Sequence, residues 1–291
     1  AFLVTLWPFA KWDQDSCHTG EPEIMDPFGT EQIRMNGICH VEAYQKWVAS
    51  VVERYDGDGR EDMPGLKYPI THWEIASEPD MQTPERTFFQ GGPFGYAEIF
   101  RLAHDVIKTT DPNAKVVFAG MAEISERSMD FWKQLLVLDR TRGDVMNIHS
   151  NSASEDLFAK NYRSFLDQVG YQGKEFWVTD ARIGSKTQTW NEEDVARMTF
   201  VGAVEAFANG AEKIFWRGDT TSAVTRVLDQ SIGQFTSVER IEDHVVKFEV
   251  NGRFVYALWD GATLPSEITG RVKTLSYNGT VSRQLAKKIK A

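Results

Sequence analysis

Apolar residues along this chain follow two alternating patterns: short, nearly unbroken runs, and longer stretches in which they recur every three or four positions. The short runs are Phe2 to Phe9, His72 to Glu78, Lys115 to Met121, Val145 to His149, Glu175 to Asp180 and Lys213 to Arg217. Most turn polar only at their carboxyl ends, as strands do when both faces are buried in a parallel sheet. Between them, Val41, Tyr44, Val48, Val51, Val52 and Tyr55 share one helical face, as do Tyr96, Ile99, Phe100, Ala103, Val106 and Ile107. Further helices are predicted over 128–138, 157–169 and 192–208, the last stopped by Asn209-Gly210. Asp111-Pro112-Asn113 marks the turn before the third strand.

Such alternation predicts an α/β fold in which helices wrap a parallel sheet. After about Ser237 the rhythm changes. "HVVKFEV" and "RFVYALWD" read as two strands joined by Asn251-Gly252, a strong hairpin signal. Two domains are therefore expected: residues 1–237 as the α/β domain and 238–291 as a small β-rich accessory module.

A length of 291 residues is ample for a sizeable core. The net charge of -10 disfavours nucleic acid or an anionic membrane as a partner, because either would be repelled. No apolar run approaches the ~18 to 20 residues that cross a bilayer. Nine Trp and eighteen Phe leave rings to spare for lining clefts. The chain opens at Ala1-Phe2-Leu3 without a signal-peptide pattern, and its compartment stays undetermined. Cys17 and Cys39, each followed by a histidine, leave three readings open: free thiols, a disulfide closing the intervening loop, or a metal site shared with His18 and His40.

In a (β/α) barrel the carboxyl ends of the strands converge on one face, where the chemistry is placed. Glu78, His149, Asp180 and Trp216 all lie at or near such ends. Two carboxylates facing a ring-lined cleft are the equipment of glycoside hydrolysis: one protonates the leaving oxygen, the other attacks or activates water.

"HWEIASEPD" resembles the W-E-x-x-N-E-P strand of clan A glycoside hydrolases such as families 5 and 39, and "FWVTDARIG" resembles their later W-x-T-E strand. "TLWPFAKWDQ", "NIHS" and "IFWRGD" stand in the order of the third, sixth and eighth barrel strands of those families. The resemblance implies a TIM-barrel-like fold with Glu78 as acid/base and Asp180 in the nucleophile's place. It further implies retention of anomeric configuration, a β-linked glycan or glycoside as carbohydrate substrate, and no metal or organic cofactor. Two residues depart from the pattern. Ser77 replaces the Asn before the acid/base, offering a hydroxyl in place of an amide. Asp180 replaces Glu, shortening the side chain by ~1.5 Å. Retaining pairs stand ~5 to 5.5 Å apart and inverting pairs ~6.5 to 9.5 Å, so that retreat bears on stereochemistry. A carbohydrate-binding relative with weakened or no catalysis is the alternative reading.

Counting from the third strand leaves six βα units, an incomplete barrel with two open sheet edges. An upstream segment, the tail module or a second copy of the chain are the candidates to cover them. Among supporting residues, His149 is expected to bond substrate or the Asp180 carboxylate, against a core histidine satisfied by backbone groups; Trp216 to stack on sugar, against pure packing; and Arg182 to orient Asp180, against a plain surface charge. Trp12 and Asp13 are candidate outer-subsite contacts, against a reading as loop packing. Trp73 and Glu74 read as structural. Asp219 suggests that its strand emerges into solvent, and Asn278-Gly279-Thr280 reads as a turn.

Overall fold

The polar-ended apolar runs form strands, and the amphipathic stretches form the helices that separate them. A computed structural model describes residues 2–83, 86–138, 142–151, 154–184, 190–217 and 223–289. In chain order the first elements are β1 (Leu3–Leu6), α1 (Lys11–Cys17), β2 (Ile24–Met25), β3 (Gln32–Ile33), α2 (Val41–Tyr55) and β4 (His72–Ile75). β5 (Gln82–Thr83), β6 (Arg86–Thr87), α3 (Gly92–Thr110), β7 (Lys115–Phe118), α4 (Glu126–Leu138) and β8 (Met146–Asn151) follow. Then come α5 (Ala159–Gln168), β9 (Phe176–Arg182), α6 (Glu192–Ala208), β10 (Lys213–Trp216) and α7 (Ala223–Ile232). The tail holds β11 (Phe235–Glu242), β12 (Val245–Val250), β13 (Arg253–Leu258), β14 (Arg271–Leu275), β15 (Val281–Leu285) and a 3-10 turn at Ala286–Lys288. Asp219 lies outside the described residues.

The chain divides into two units, 1–149 with 164–177 and 150–163 with 178–291. In the first, β1, β4 and β7 form a parallel sheet in that order, with Leu3 opposite His72 and Trp73 opposite Val116. Parallel bridges from Val117 to Val145 and from Met121 to Ile148 continue it toward β8. The helices cover it with rings: Phe100 stacks on Phe118 at 4.1 Å, and Trp132 meets Phe118 edge-on. Such burial is the main stabilising term of the unit. β4 and β7 are almost wholly buried, whereas Thr5 on the edge strand β1 is exposed.

In the second unit the strand order β10-β9-β8 brings together the last two residues of β8, Val178–Arg182 of β9, and β10, whose four residues are all half-buried at the edge. β11, β12 and β13 form an antiparallel sheet in that order. Asn251 and Gly252 join β12 to β13 with φ of 51° and 72°, the doubly left-handed turn that a two-residue hairpin requires. This sheet has no core of its own. Val246 and Phe248 pack with Val204 and Phe207 of α6 and Leu228 of α7, so the tail and the two helices bury one apolar cluster. The fold is thus α/β with an antiparallel tail, and among the described residues the strands do not close into a barrel. No helix among them is long and apolar enough to cross a membrane.

Candidate active site

In the first unit, β4 ends at Ile75 because the backbone turns over: Ala76 and Glu78 take left-handed φ of 61° and 45°, and Pro79 brings no N–H. Left-handed non-glycine residues cost of order 1–3 kcal/mol each and persist only where the surroundings hold them. Here the hold is explicit. The Ala76 N–H donates to the Leu6 carbonyl at 2.9 Å, and the Met81 N–H to that of Glu78 at 2.9 Å. The Tyr96 hydroxyl donates to the Ile75 carbonyl and accepts from the Ala119 N–H, both at 2.9 Å, bridging β4 and β7 where they part. Asp80, buried two residues on, accepts from the Ala122 N–H at 3.1 Å.

Glu78 is 6% exposed, and its Oε1 stands 2.7 Å from Nδ1 of His149, itself 5% exposed. A carboxylate oxygen and a ring nitrogen approach that closely only with a proton between them. The His149 ring lies over Gly120: a Cβ there would sit 2.0 Å from the ring, so only glycine leaves it room. Deeper in the sheet, Glu74 accepts from Thr5 at 2.5 Å, Asn147 at 2.6 Å and the Gly120 N–H at 3.2 Å. Burial drives its pKa above the ordinary carboxylate value, while the His149 ring and these three bonds pull it back only in part. Burial likewise raises Asp80, against the bond from the Ala122 N–H. Trp73 and Glu74 are thus buried, as their reading as structural residues expects.

In the second unit Asp180 sits on β9 with φ of 49°, half-buried. The Asn151 amide donates to its Oδ2 at 3.1 Å, and the Arg217 guanidinium stands 3.4 Å from the same oxygen. Arg217 is level with Asp180 because its N–H donates to the Ala181 carbonyl at 2.8 Å.

Several sequence expectations change. His149 pairs with Glu78, a partner across 71 positions that no local pattern announces. The cation beside Asp180 is Arg217, while Arg182 is exposed: the left-handed residue at 180 breaks the two-residue alternation that would have put both on one face. Asp13 is 4% exposed and accepts from the Cys39 and His40 N–H groups, which matches loop packing. Trp12 is 61% exposed, tilted against the His40 ring at 5.3 Å. Ser77 is half-buried beside Glu78, and Trp216 is half-buried and packs against the α6–α7 cluster. Cys17 and Cys39 form a disulfide, which settles the three readings of that pair and removes both sulfurs as metal ligands. Asp56, Asp58 and Asp62 gather in the loop after α2, where their carboxylates accept from backbone N–H groups of the same loop.

No family model and no curated protein matches this chain. Solved structures do. A glucosidase from Croceicoccus marinus is similar at a TM-score of 0.57 with 16% identity, over 85% of this chain and 60% of its own. A family 39 glycoside hydrolase from Bacteroides cellulosilyticus WH2 is similar at a TM-score of 0.53 with 12% identity, over 94% of this chain and 66% of its own. The chain therefore spans less than two thirds of the length of either. At such identities the likeness speaks for the fold, and the fold of this chain is like that of the clan A glycoside hydrolases.

Proposed function

We propose that this chain is a glycoside hydrolase-like protein that cleaves a β-linked glycoside or glycan, built as an incomplete TIM-barrel-like domain of six βα units with a β-rich tail module. Glu78 acts as acid/base and Asp180 as the carboxylate on the opposite side of the sugar. The observation that carries this reading is the state of Glu78: a carboxyl at a strand end, in a left-handed conformation, 6% exposed and 2.7 Å from a histidine nitrogen. A carboxylate kept only for structure has no need of so costly a backbone or of a proton-sharing partner. An acid/base needs both a fixed direction and a proton it can hold and release.

In the proposed first step the proton shared by Glu78 and His149 passes to the glycosidic oxygen while the carbon–oxygen bond to the anomeric carbon breaks. The pair of electrons leaves with the aglycone. Asp180 bonds the anomeric carbon from the other face, or takes a proton from the water that does, according to the separation of the two carboxyls. Glu78, now deprotonated, then takes a proton from water as the second bond breaks or as the product departs. Ser77 stands where a donor to the sugar's 2-hydroxyl is needed, Trp216 and Trp12 offer rings for outer sugars, and Arg217 and Asn151 hold Asp180 aimed. Arg182, exposed on β9, is left for the rim of the cleft.

The second reading, a carbohydrate binder that does not cleave, rests on Ser77 and Asp180 standing where the family pattern has Asn and Glu. Turnover of a panel of aryl β-glycosides by the wild type and by Glu78→Gln separates the two. Cleavage that the substitution abolishes supports the hydrolase. Glycan binding without cleavage by the wild type supports the binder and overturns the hydrolase.

A further inference from the structure

The loop closed by the Cys17–Cys39 disulfide brings an exposed ring to the end of β1, next to the bend that carries Glu78. Rings run outward through the first unit in a connected series. Tyr96, fully buried, meets Phe89 edge-on at 6.4 Å; Phe89 stacks on Phe9 at 5.9 Å; Phe9 meets Trp7 at 5.0 Å; and Trp7 meets Phe28 at 5.4 Å. Exposure rises along that series, from 0% at Tyr96 and 1% at Phe89 to 6% at Phe9, a half-buried Trp7, and 64% at Phe28. The inner rings are core. Packing does not account for Phe28, which no described residue of the unit covers beyond its contact with the half-buried Trp7.

Phe28 is nonetheless held in place. It sits at the tip of the short hairpin of β2 and β3, where the Asp26 carboxylate accepts from both the N–H and the hydroxyl of Thr30. Arg34 ties the hairpin to Asp15 at 2.6 Å and to the Glu21 carbonyl at 2.8 Å, and the disulfide closes its base. Trp7 is placed by the sheet register: Leu6 pairs with Ile75 and accepts from the Ala76 N–H, so Trp7, the next residue, stands opposite the Ala76-Ser77-Glu78 bend.

We propose that Trp7 and Phe28 form the leaving-group side of the substrate surface, a ring platform for the sugar or aromatic aglycone that departs, held by the disulfide-closed loop. The assignment rests on the hydrolase reading for its direction: Glu78 gives its proton to the leaving oxygen, so the part of the substrate beside Glu78 is the part that leaves. A pyranose presents an apolar face of C–H groups to which two rings offer a dry contact. A methyl aglycone reaches neither ring. The ligand class is thus a β-linked oligosaccharide or an aryl glycoside, and the binding energy of the remote unit is available to the transition state.

The test compares β-linked tetrasaccharides of glucose and xylose with the methyl β-glycosides of the same sugars, in the wild type, Phe28→Ala, Trp7→Ala and the double variant Cys17→Ser/Cys39→Ser. The expected result is a fall of about 10-fold in the ratio of tetrasaccharide to methyl-glycoside kcat/KM for each variant. Phe28 is on the surface, so its variant reports on contact and not on folding. An unchanged ratio in Phe28→Ala, with Glu78-dependent turnover intact, overturns the platform and leaves the hydrolase standing. Should the wild type show no Glu78-dependent turnover, the hydrolase reading fails separately, and calorimetry with the tetrasaccharides then decides the platform. Binding weakened about 10-fold by Phe28→Ala supports it, and no binding by the wild type, or binding unaffected by that substitution, overturns it.

Discussion

Glu78, in the bend after β4, and Asp180, within β9, both take a left-handed backbone, with φ of 45° and 49°, yet their surroundings differ in kind. Glu78 is sealed from water and shares a proton with a neutral-or-charged ring at 2.7 Å. Asp180 is half in water, beside a permanent cation and an amide. A proton-sharing partner suits a group that must give up a proton and regain it. A guanidinium, which cannot be deprotonated, suits a group proposed to attack or to activate water. A left-handed φ thus occurs at both carboxyls, and it is their neighbours that differ.

The comparison breaks most visibly in leaving-group dependence. Glu78→Gln should lower kcat/KM by ~10²–10⁴ for aglycones of high pKa and by far less for a dinitrophenyl leaving group, which departs without a proton. Asp180→Asn should lose as much with every leaving group. Equal losses across the series in both variants would show that the two carboxyls do not differ in role. Next in size is Gly120→Ala. The new Cβ would stand 2.0 Å from the His149 ring and must displace it. About 1–3 kcal/mol of stability should be lost, read as a fall in urea midpoint, together with a shift of the pH–rate profile that the folding loss does not account for. An unaltered profile would mean that His149 does not set the proton supply of Glu78.

Glu74 gives a smaller, purely thermodynamic effect. Its folded pKa is raised by burial from 4.5, so above that pH the folded state holds a proton that the unfolded chain has released. Stability from this group is full below the unfolded value and is lost as pH rises through the folded one. Glu74→Gln should flatten that decline in urea melts taken at successive pH values, leaving the part due to Asp80, which is raised in the same sense. A decline just as steep in the variant would remove Glu74 as its source. Smallest is Arg217→Gln. The Arg217 end of the pair with Asp180 is exposed, so stability should change by less than ~1 kcal/mol while kcat falls several-fold. The activity loss should survive at high salt, where screening has already removed the long-range part of the attraction.

How much of this was legible in the sequence follows from which interactions are local. The six apolar runs became β1, β4, β7, β8, β9 and β10, because a strand buried on both faces has to be apolar wherever it lies. α6 was bounded at Glu192 and Ala208 by its own signals, with the Asn191 side chain accepting from Asp194 and Asn209-Gly210 at the end. The two-residue strands β2, β3, β5 and β6 have no period to read. α7 carries a clear helical spacing at Val224, Val227, Leu228 and Ile232, a signal that was there to be read. Glu78 was visible as a charge set against a proline at a strand's end. Its pairing with His149 was not, since that reaches across the sheet, nor was the pairing of Asp180 with Arg217 in place of Arg182, which follows from one reversed φ.

The claim on which all of this depends is that Glu78 and Asp180 serve one reaction, and a double-variant cycle on an aryl β-glycoside measures that directly. Residues acting as a unit are non-additive. Glu78→Gln and Asp180→Asn should each remove most of the turnover, with the double variant little worse than the poorer single one. Losses that multiply, or turnover that survives either substitution, would mean that the two carboxyls do not work together.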